Sequence, residues 1–304
     1  WMPLMMSEYH KPVLLNEAVE GLVTNPSGVY VDATFGGGGH SKAILGRLTD
    51  KGRLITFDQD EDAAVNAIDD DRFQLVQANF RYLVKYLRLL EISHIDGLLA
   101  DLGVSSHQFD EVDRGFMFRE NAVLDMRMNR SSPHTASDLL MEMPQEEMVR
   151  MFSLYGEVRN ARTVAQRIVE ARKNVKIEHS ATLMRILDPV VRGSRLRYYA
   201  QLFQALRIAV NRELDALEGL LNSCHQVIRP GGRLVVISYH SLEDRMVKHL
   251  IRSGNTDGVS HKDDFGNVEC PWQAITRKPW EPDENEIKTN SRARSARMRI
   301  AERQ

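Results

Sequence analysis

The sequence predicts an α/β protein with a doubly wound, largely parallel sheet that a helical insertion interrupts. Apolar, β-branched runs alternate with helix-length segments over the first hundred residues. A turn of four glycines follows the first of these runs. The β-branched runs then disappear at about residue 108 and return only at 233–238. Strands separated by helix-length segments imply right-handed crossovers, and these generate a parallel sheet.

The individual elements follow from hydrophobic spacing and turn residues. Strands are predicted at 28–35, 53–58, 73–76 and 94–102, with helices at 40–48, 61–68 and 80–90. Helical spacing then predicts segments at 136–140, 145–154, 160–172 and 180–187. One long amphipathic helix is predicted at 201–228, followed by a Pro-Gly-Gly turn and the strand 233–238.

The domain organisation follows from the point at which the sheet pattern stops and resumes. We predict a discontinuous sheet domain formed by residues 1–107 and 201–304. An inserted helical domain at 108–200 would recognise the substrate. The sequence therefore predicts one catalytic domain that carries a second one inside it.

Composition excludes several classes of protein. The chain has 304 residues, 42% of them hydrophobic, a formal net charge of −2, and two distant cysteines, Cys224 and Cys270. This cysteine count excludes a disulfide framework and a paired-cysteine zinc site, and it fits a reducing cytosol. No apolar run approaches a membrane span, and the first residues lack the pattern of a secretory signal. We therefore expect a cytoplasmic protein with no membrane association and no metal in its reaction.

The glycine turn predicts a site for a cofactor that contains adenosine. Gly36 to Gly39 and His40 stand at the carboxyl end of a strand, where open α/β sheets bind ligands. Glycines allow a ligand to approach the backbone closely, and a following helix presents unpaired N–H groups. Asp58 ends the next strand, where an acid accepts hydrogen bonds from ribose hydroxyls. A tight β–α connection is the alternative explanation of the glycines alone.

Two residues favour S-adenosylmethionine over NAD as this cofactor. The dinucleotide fingerprint requires a third glycine at position 41, where this chain has Ser41. Asp32, inside the first strand, is typical of methyltransferases, where a carboxylate faces the sulfonium or amino group of the cofactor. The pattern thus predicts a Rossmann-like class I methyltransferase sheet.

Two loops at strand ends carry the candidate catalytic residues. Asp101 begins the Asp-Leu-Gly-Val-Ser-Ser loop after the fourth strand, where methyltransferases place acceptor-side residues. His240 follows the fifth strand and could take up a proton, since the ordinary pKa of histidine lies near neutrality. Helix capping is the alternative role of each residue. Glu243 and Asp244 are interpreted as acids at a helix N-terminus.

Basic and aromatic residues indicate a nucleic-acid surface within a nearly neutral chain. Arginines are dense between Arg159 and Arg212, and a second basic run carries Arg292, Arg294, Arg297 and Arg299. We assign RNA contact to Arg195, Arg197, Arg292 and Arg294, with a solvated helix face as the alternative. The candidate partners for base stacking are Phe109, Phe116, Phe118, Tyr198 and Tyr199, although aromatic residues more often fill a core.

Nine segments in the same order resemble the bacterial 16S ribosomal RNA cytosine-N4 methyltransferase family. They are residues 11–17, 32–36, 38–41, 101–106, 113–116, 124–128, 203–208, 240–245 and 292–295. These blocks span nearly the whole chain, so the set is far more specific than any one of them. The chain departs from the family pattern in the segment 195–201 and at Ser291, where a proline is usual. The departure in the segment 195–201 affects the expected RNA-facing surface.

The resemblance implies a reaction, a cofactor and a set of site residues. It implies methyl transfer from S-adenosylmethionine to N4 of a cytidine in the decoding region of 16S rRNA, with the small ribosomal subunit as partner. Carried over by motif, the cofactor-binding residues would be Gly38, Gly39, His40, Asp58, Phe80, Asp101 and Gln108.

Three other functions stay open from the residues alone. They are a cofactor-sensing or ribosome-assembly factor without turnover, an NAD-linked oxidoreductase, and a methyltransferase that acts on protein or DNA. Ser41 disfavours the oxidoreductase, and the basic insertion disfavours a protein substrate. A homodimer is compatible with the sequence but is not required by it.

Overall fold

The computed structural model describes residues 11–304 except 106, 107, 109, 110, 119 and 120. Contacts divide the chain into two compact units. The first unit comprises the segment ending at Gly103 and the segment Ala216–Gln304, and the second is Val104–Asp215. We call them the sheet unit and the helical unit. None of the helices in the described part of the chain is long and apolar enough to cross a membrane.

The sheet unit contains a seven-stranded sheet with the order β3-β2-β1-β4-β5-β7-β6. Its strands are β1 Val29–Asp32, β2 Arg53–Asp58, β3 Phe73–Gln77, β4 Ile95–Asp101, β5 Ile228–Ser238, β6 Trp272–Ala274 and β7 Arg297–Arg303. β1 to β5 pair in parallel, and β7 runs antiparallel to both β5 and β6. The order from β3 to β5 is the doubly wound order, which reverses at β1 and β4. The predicted fold class is confirmed.

The helices of the sheet unit cover both faces of this sheet. They are α1 Leu15–Leu22, α2 Gly39–Leu45, α3 Leu83–Leu89, α10 Ser241–Ser253 and α11 Glu284–Thr289, together with most of α9 Glu213–Cys224. One buried cluster contains Leu83, Leu87 and Leu250, and the other contains Leu22 and Ile44. Because β4 supplies side chains to both clusters, its residues from Ile95 to Ala100 are all buried. The buried run ends at Ala100, so Asp101 is the first residue of β4 that is partly exposed.

The helical unit has a core of its own. Its helices are α4 Ala136–Glu142, α5 Gln145–Gly156, α6 Ala161–Ala171, α7 Ser180–Leu187 and α8 Arg195–Asn211. Thr135 and Asp138 form a reciprocal capping box at the start of α4. Buried side chains such as Phe152, Tyr199 and Leu202 form one apolar cluster. A separate core is what allows an inserted segment to be a compact unit.

The single helix predicted at 201–228 is wrong, because it is two helices. α8 ends at Asn211, Arg212 adopts a left-handed conformation with φ 49°, and α9 covers Glu213–Cys224. The helical unit therefore extends to Asp215, whereas the sequence-based domain limits were 107 and 200. The buried face of α8, including Phe203 and Leu206, belongs to the core of the helical unit.

Part of the basic run near the C-terminus forms β7, which lies between β5 and the edge strand β6. In β7, Met298 and Ile300 are buried while Arg297 is exposed, which is the period-two pattern of a strand. The predicted turn at 230–232 lies within β5, where the pairing with β4 shifts register. The segment predicted as an α-helix at 61–68 is a 3-10 helix, Glu61–Asn66.

Candidate active site

Three carboxylates lie at the carboxyl ends of adjacent strands. Asp32 ends β1, Asp58 ends β2 and Asp101 ends β4. β1 is hydrogen-bonded to both β2 and β4, so these three ends meet on one edge of the sheet. Parallel α/β sheets bind their ligands at this edge, next to the point where the strand order reverses. The structure thus brings together the acids that the sequence placed there.

Asp32 is buried and held by short hydrogen bonds. It is 1% exposed, and Oδ2 accepts a hydrogen bond of 2.6 Å from the Ser41 hydroxyl. Oδ1 accepts one of 3.0 Å from the Thr34 backbone N–H. Burial raises the pKa of Asp32, and the bond from Ser41 opposes this rise. Ser41, which departs from the dinucleotide fingerprint, therefore has a role in holding this carboxylate.

Asp58 has the geometry of a ribose acceptor. Its Oδ2 accepts from the Gly36 N–H at 2.8 Å, and its Oδ1 accepts from the Asp60 N–H at 2.8 Å. A carboxylate has about four lone-pair positions, so each oxygen can accept a further donor. Burial raises the pKa of Asp58 to about 6. These residues fit a ligand that offers a pair of hydroxyl groups.

The glycine turn leads directly into α2. Gly38 precedes the helix with φ 75°, a left-handed conformation that favours glycine. A side chain at Gly39 would overlap the ring of Pro12, so only glycine fits at this position. Phe80, half-buried, begins the 3-10 helix that follows β3. The structure thus places a bare backbone turn and an aromatic ring in the unit that carries the acids.

Asp101 is held from three directions. Its N–H donates to the Thr34 hydroxyl oxygen at 2.7 Å, and its Oδ1 accepts from the Tyr239 hydroxyl at 2.7 Å. His40 Nδ1 lies 3.6 Å from Oδ2. Burial raises the pKa of Asp101 to about 6, and His40 and Tyr239 oppose this rise. The sequence identified Asp101 and His40 as site residues, but it did not predict that Thr34 and Tyr239 would bind Asp101.

His40 presents a defined nitrogen to Asp101. Its Nε2 lies 3.1 Å from the carbonyl oxygen of Val13. A carbonyl oxygen only accepts hydrogen bonds, so Nε2 must carry a proton. The remaining nitrogen, Nδ1, faces the carboxylate.

His240 is the N-cap of α10. Its Nδ1 accepts a hydrogen bond from the Glu243 N–H at 3.4 Å, and its Nε2 lies 3.0 Å from Oε1 of Glu243. The other oxygen of Glu243 accepts from the Tyr239 N–H at 2.8 Å. The capping alternative raised from the sequence describes Nδ1, whereas the buried Nε2 makes no hydrogen bond with a described residue. A proton-transfer role for His240 stays a prediction.

Asp244 lies in the first turn of α10, as predicted, and it also binds an arginine of β7. Arg299 donates to both of its oxygens, at 2.7 and 3.1 Å. Arg297 Nη1 lies 3.7 Å from the same carboxylate. These two arginines of the basic run therefore connect β7 to α10.

Gln108 lies in the helical unit and is 6% exposed. Its Oε1 accepts from the Ser105 N–H at 3.1 Å. A role for Gln108 in a cofactor pocket stays a prediction. Ser106 and Phe109, two other residues singled out from the sequence, lie outside the described residues.

The aromatic residues proposed to stack on bases are mainly core residues. Phe116, Tyr198 and Tyr199 are 6%, 4% and 0% exposed. The hydroxyl of Tyr199 donates to Asp188, and that of Tyr198 donates to Asn160. These three cannot stack on RNA in this conformation. Phe118 is half-buried and packs against the same cluster.

The dense arginines of the helical unit divide into two groups. Several bind carboxylates or carbonyls; among them, Arg195 binds Asp188, and Arg172 donates to the carbonyls of Leu140 and Met143. Four others are exposed and have no ion pair with a described residue. They are Arg159, Arg185, Arg192 and Arg197. Among the sequence-predicted contacts in this unit, Arg197 is the available cation, and Arg195 is already paired.

The two predicted RNA contacts near the C-terminus lie in a 3-10 helix, Ser291–Ser295. Arg294 is exposed, and Arg292 is half-buried. Asn290 caps this short helix by accepting a hydrogen bond from the Arg292 N–H at 3.2 Å. Arg294 is therefore the more accessible of the two.

The sheet order, the glycine turn and the three strand-end acids define a Rossmann-like fold of the class I methyltransferase type. The sequence belongs to the MraW methylase family, whose model matches residues 7–304. This confirms the family resemblance drawn from the motifs.

Curated relatives agree along nearly the whole chain. A ribosomal RNA small subunit methyltransferase H from Bacteroides fragilis is 50% identical over 296 residues, covering 97% of each chain. The protein of that name from Cytophaga hutchinsonii is 52% identical over 299 residues, covering 97% of this chain and all of its own. The Christiangramia forsetii protein of that name is 48% identical over 299 residues, covering 98% and 99%.

Proposed function

We propose that this enzyme transfers the methyl group of S-adenosylmethionine to the exocyclic N4 of a cytidine in the decoding region of 16S rRNA. The observation that carries the proposal is the row of carboxylates at the ends of β2, β1 and β4, beside a glycine turn. Membership of a methylase family supports the reaction class. The relatives' names refer to small-subunit ribosomal RNA and support the acceptor.

The charge of the site favours a sulfonium cofactor over a dinucleotide. S-adenosylmethionine carries a positive sulfonium, whereas NAD carries a negative pyrophosphate. Asp32, Asp58 and Asp101 are held in a partly buried environment, where unlike charges attract strongly and like charges repel. This electrostatic argument is independent of Ser41, and both disfavour the oxidoreductase alternative.

Several residues would hold the cofactor. Asp58 would accept hydrogen bonds from the ribose hydroxyls, and the ring of Phe80 would lie by the adenine. The backbone of Gly38 and Gly39 would line the cofactor at the turn before α2, as the family motif implies. His40 and Asp101 would complete the wall from α2 and β4, and a role for Gln108 stays a prediction from the family motif.

The chemistry required of the protein is mainly alignment. Bound S-adenosylmethionine supplies an activated methyl group. Asp101 accepts a hydrogen bond from the target amine, which orients the nitrogen lone pair towards that methyl group. A carboxylate in this position can also take the proton that the methylated nitrogen sheds. His240 caps the start of α10 through Nδ1, and a proton-transfer role for it stays a prediction.

Exposed arginines of the helical unit would bind the RNA. Arg197 lies in the first turn of α8, is exposed and has no ion pair with a described residue. Arg294 would add a contact from the sheet unit, while Arg195 and Arg292 would contribute less. Contacts of this kind are to phosphates and give salt-dependent binding. The target base must leave its stack for its amine to reach the cofactor.

An assembled small subunit in the cytoplasm is the proposed substrate. Isolated cytidine offers no phosphates for several separate arginines, whereas a folded particle offers many. A homodimer stays a prediction, and no residue of the proposed site requires it.

The test is transfer of labelled methyl groups to small-subunit particles from cells that lack the enzyme. We expect label in particle RNA, less in protein-free 16S rRNA, and none with Asp58→Asn at limiting cofactor. If S-adenosylmethionine bound tightly but neither RNA was labelled, the proposed acceptor would be wrong. Failure to bind S-adenosylmethionine at all would reject the cofactor assignment.

A further inference from the structure

We infer that Tyr239 is a positioning residue that aims the Asp101 carboxylate, an inference that rests on the proposed function of Asp101. Tyr239 directly follows β5, and its hydroxyl lies 2.7 Å from Asp101 Oδ1 at the end of β4. The two residues are 138 positions apart in sequence. They meet because β4 and β5 are neighbours, with Asp101 beside Ile237.

The direction of this hydrogen bond is fixed by chemistry. An ionised carboxylate only accepts hydrogen bonds, so the phenol of Tyr239 must donate. Burial and the Asp101 charge raise the pKa of Tyr239 well above its ordinary value. The proton therefore stays on the phenol throughout the working pH range. Tyr239 is a permanent donor, and it occupies Oδ1.

The second oxygen of Asp101 is left for the incoming amine. Oδ2 faces His40 Nδ1 at 3.6 Å, which is beyond a normal hydrogen bond. The Asp101 N–H is already bound to the Thr34 hydroxyl oxygen. With its backbone and Oδ1 both fixed, the carboxylate cannot rotate freely, and Oδ2 keeps one orientation. Such fixed orientation is what alignment of a nucleophile requires.

The backbone of Tyr239 is itself anchored by α10. Its N–H donates to Oε2 of Glu243 at 2.8 Å, and the other oxygen of Glu243 contacts His240. Glu243 is only 3% exposed, so this anchor is shielded from water. The chain Glu243, Tyr239 and Asp101 thus connects the first turn of α10 to the reacting edge of the sheet.

The same phenol helps Asp101 to stay ionised. The groups that face Asp101 are His40 from α2, Asp32 from β1, Glu243 from α10 and Tyr239 itself. The two other acids raise the pKa of Asp101, whereas His40 and the bond from Tyr239 lower it. Loss of the phenol would leave a larger protonated fraction, and a protonated oxygen is a weaker acceptor.

The test compares Tyr239→Phe with Tyr30→Phe, its matched control. Tyr30 is a buried tyrosine whose hydroxyl bonds to the backbone of Asn25. The readout is the titration of Asp101 in aspartate-labelled protein by carbon NMR, with Asp101→Asn identifying its resonance. We expect the midpoint to rise by about one pH unit in Tyr239→Phe, since the bond stabilises the ionised form. Tyr30→Phe should not move it.

Methyl transfer measured across pH supplies the functional readout. The acid limb of the pH profile should move to higher pH in Tyr239→Phe. The substitution should reduce kcat by a larger factor than it changes the KM for particles. An unchanged titration midpoint, or an equal shift in Tyr30→Phe, would overturn the positioning role. The NMR titration needs no substrate, so it tests the hydrogen bond even if the wild-type protein labels no RNA. Absence of label would reject only the proposed function.

Discussion

The hydroxyl of Ser41 donates a 2.6 Å hydrogen bond to Oδ2 of Asp32, a carboxylate that is 1% exposed. The residue that breaks the dinucleotide fingerprint is therefore a partner of a buried charge. A third glycine in this position would leave that carboxylate with one fewer donor. The cost of such a loss is large because water cannot replace the missing bond.

Substitution Ser41→Ala should lower the free energy of unfolding by about 1–3 kcal/mol at pH 8. The loss should be smaller at low pH, because the buried Asp32 is then protonated and needs the donor less. Chemical denaturation at both pH values measures this. Ser27→Ala is the control, since the hydroxyl of Ser27 bonds to that of Thr49 at the exposed surface. Equal effects of both substitutions would contradict the interpretation.

Asp101→Asn should make the cofactor-free protein more stable at pH 8. The pKa of Asp101 is raised to about 6 in the folded protein, above its unfolded value near 3.9. The stability that this shift contributes is full below about pH 4 and is lost as the pH rises through 6. Asparagine carries no charge, so Asp101→Asn should raise the free energy of unfolding by about 1–2 kcal/mol at pH 8, after allowance for partial exposure. At pH 4 the substitution should leave it unchanged. Denaturant midpoints at the two pH values measure the difference.

Single-turnover methyl transfer should fall as the pH drops through about 6. Asp58 and Asp101 both gain protons in this range, which weakens their acceptor roles towards ribose and amine. Rates on saturating particles between pH 5 and 9, with cofactor affinity measured in parallel, separate the two acids. A rate that stayed constant down to pH 5 would remove Asp101 from the proposed mechanism.

Arg197→Ala should weaken particle binding and lower the salt dependence of binding by about one phosphate contact. The matched control is Arg172→Ala, because Arg172 donates to the carbonyls of Leu140 and Met143 within the helical unit. That control should lower stability and leave the salt slope unchanged. Filter binding at several salt concentrations measures both. If the two substitutions changed the slope alike, Arg197 would not be a phosphate contact.

The sequence predicts the sheet and its acids because those features are local. The apolar run that becomes β1, the turn at Gly38 and the acid Asp58 all lie within thirty residues. Alternation and turn chemistry determine such a region directly. The same holds for β4 and Asp101, since a short apolar run ends directly at that acid.

The parts that the sequence did not predict depend on contacts between distant residues. Tyr239 reaches Asp101 only through the strand order, and His240 caps a helix instead of facing solvent. The charge of the run around Arg299 indicates a nucleic-acid surface. The alternation of Met298 and Ile300 with arginines is, however, a strand signal. Spacing alone does not tell a buried tyrosine such as Tyr199 from a stacking one.

The most direct test of the account is nucleoside analysis of small-subunit RNA methylated by this enzyme with S-adenosylmethionine. Mass spectrometry of the digested RNA, with wild-type protein and Asp101→Asn in parallel, identifies the atom that receives the methyl group. The account predicts N4-methylated cytidine as the labelled nucleoside, with a strong loss of product in the variant despite retained folding. Label on a ring carbon or a ribose hydroxyl, or a variant as active as the wild type, would contradict it.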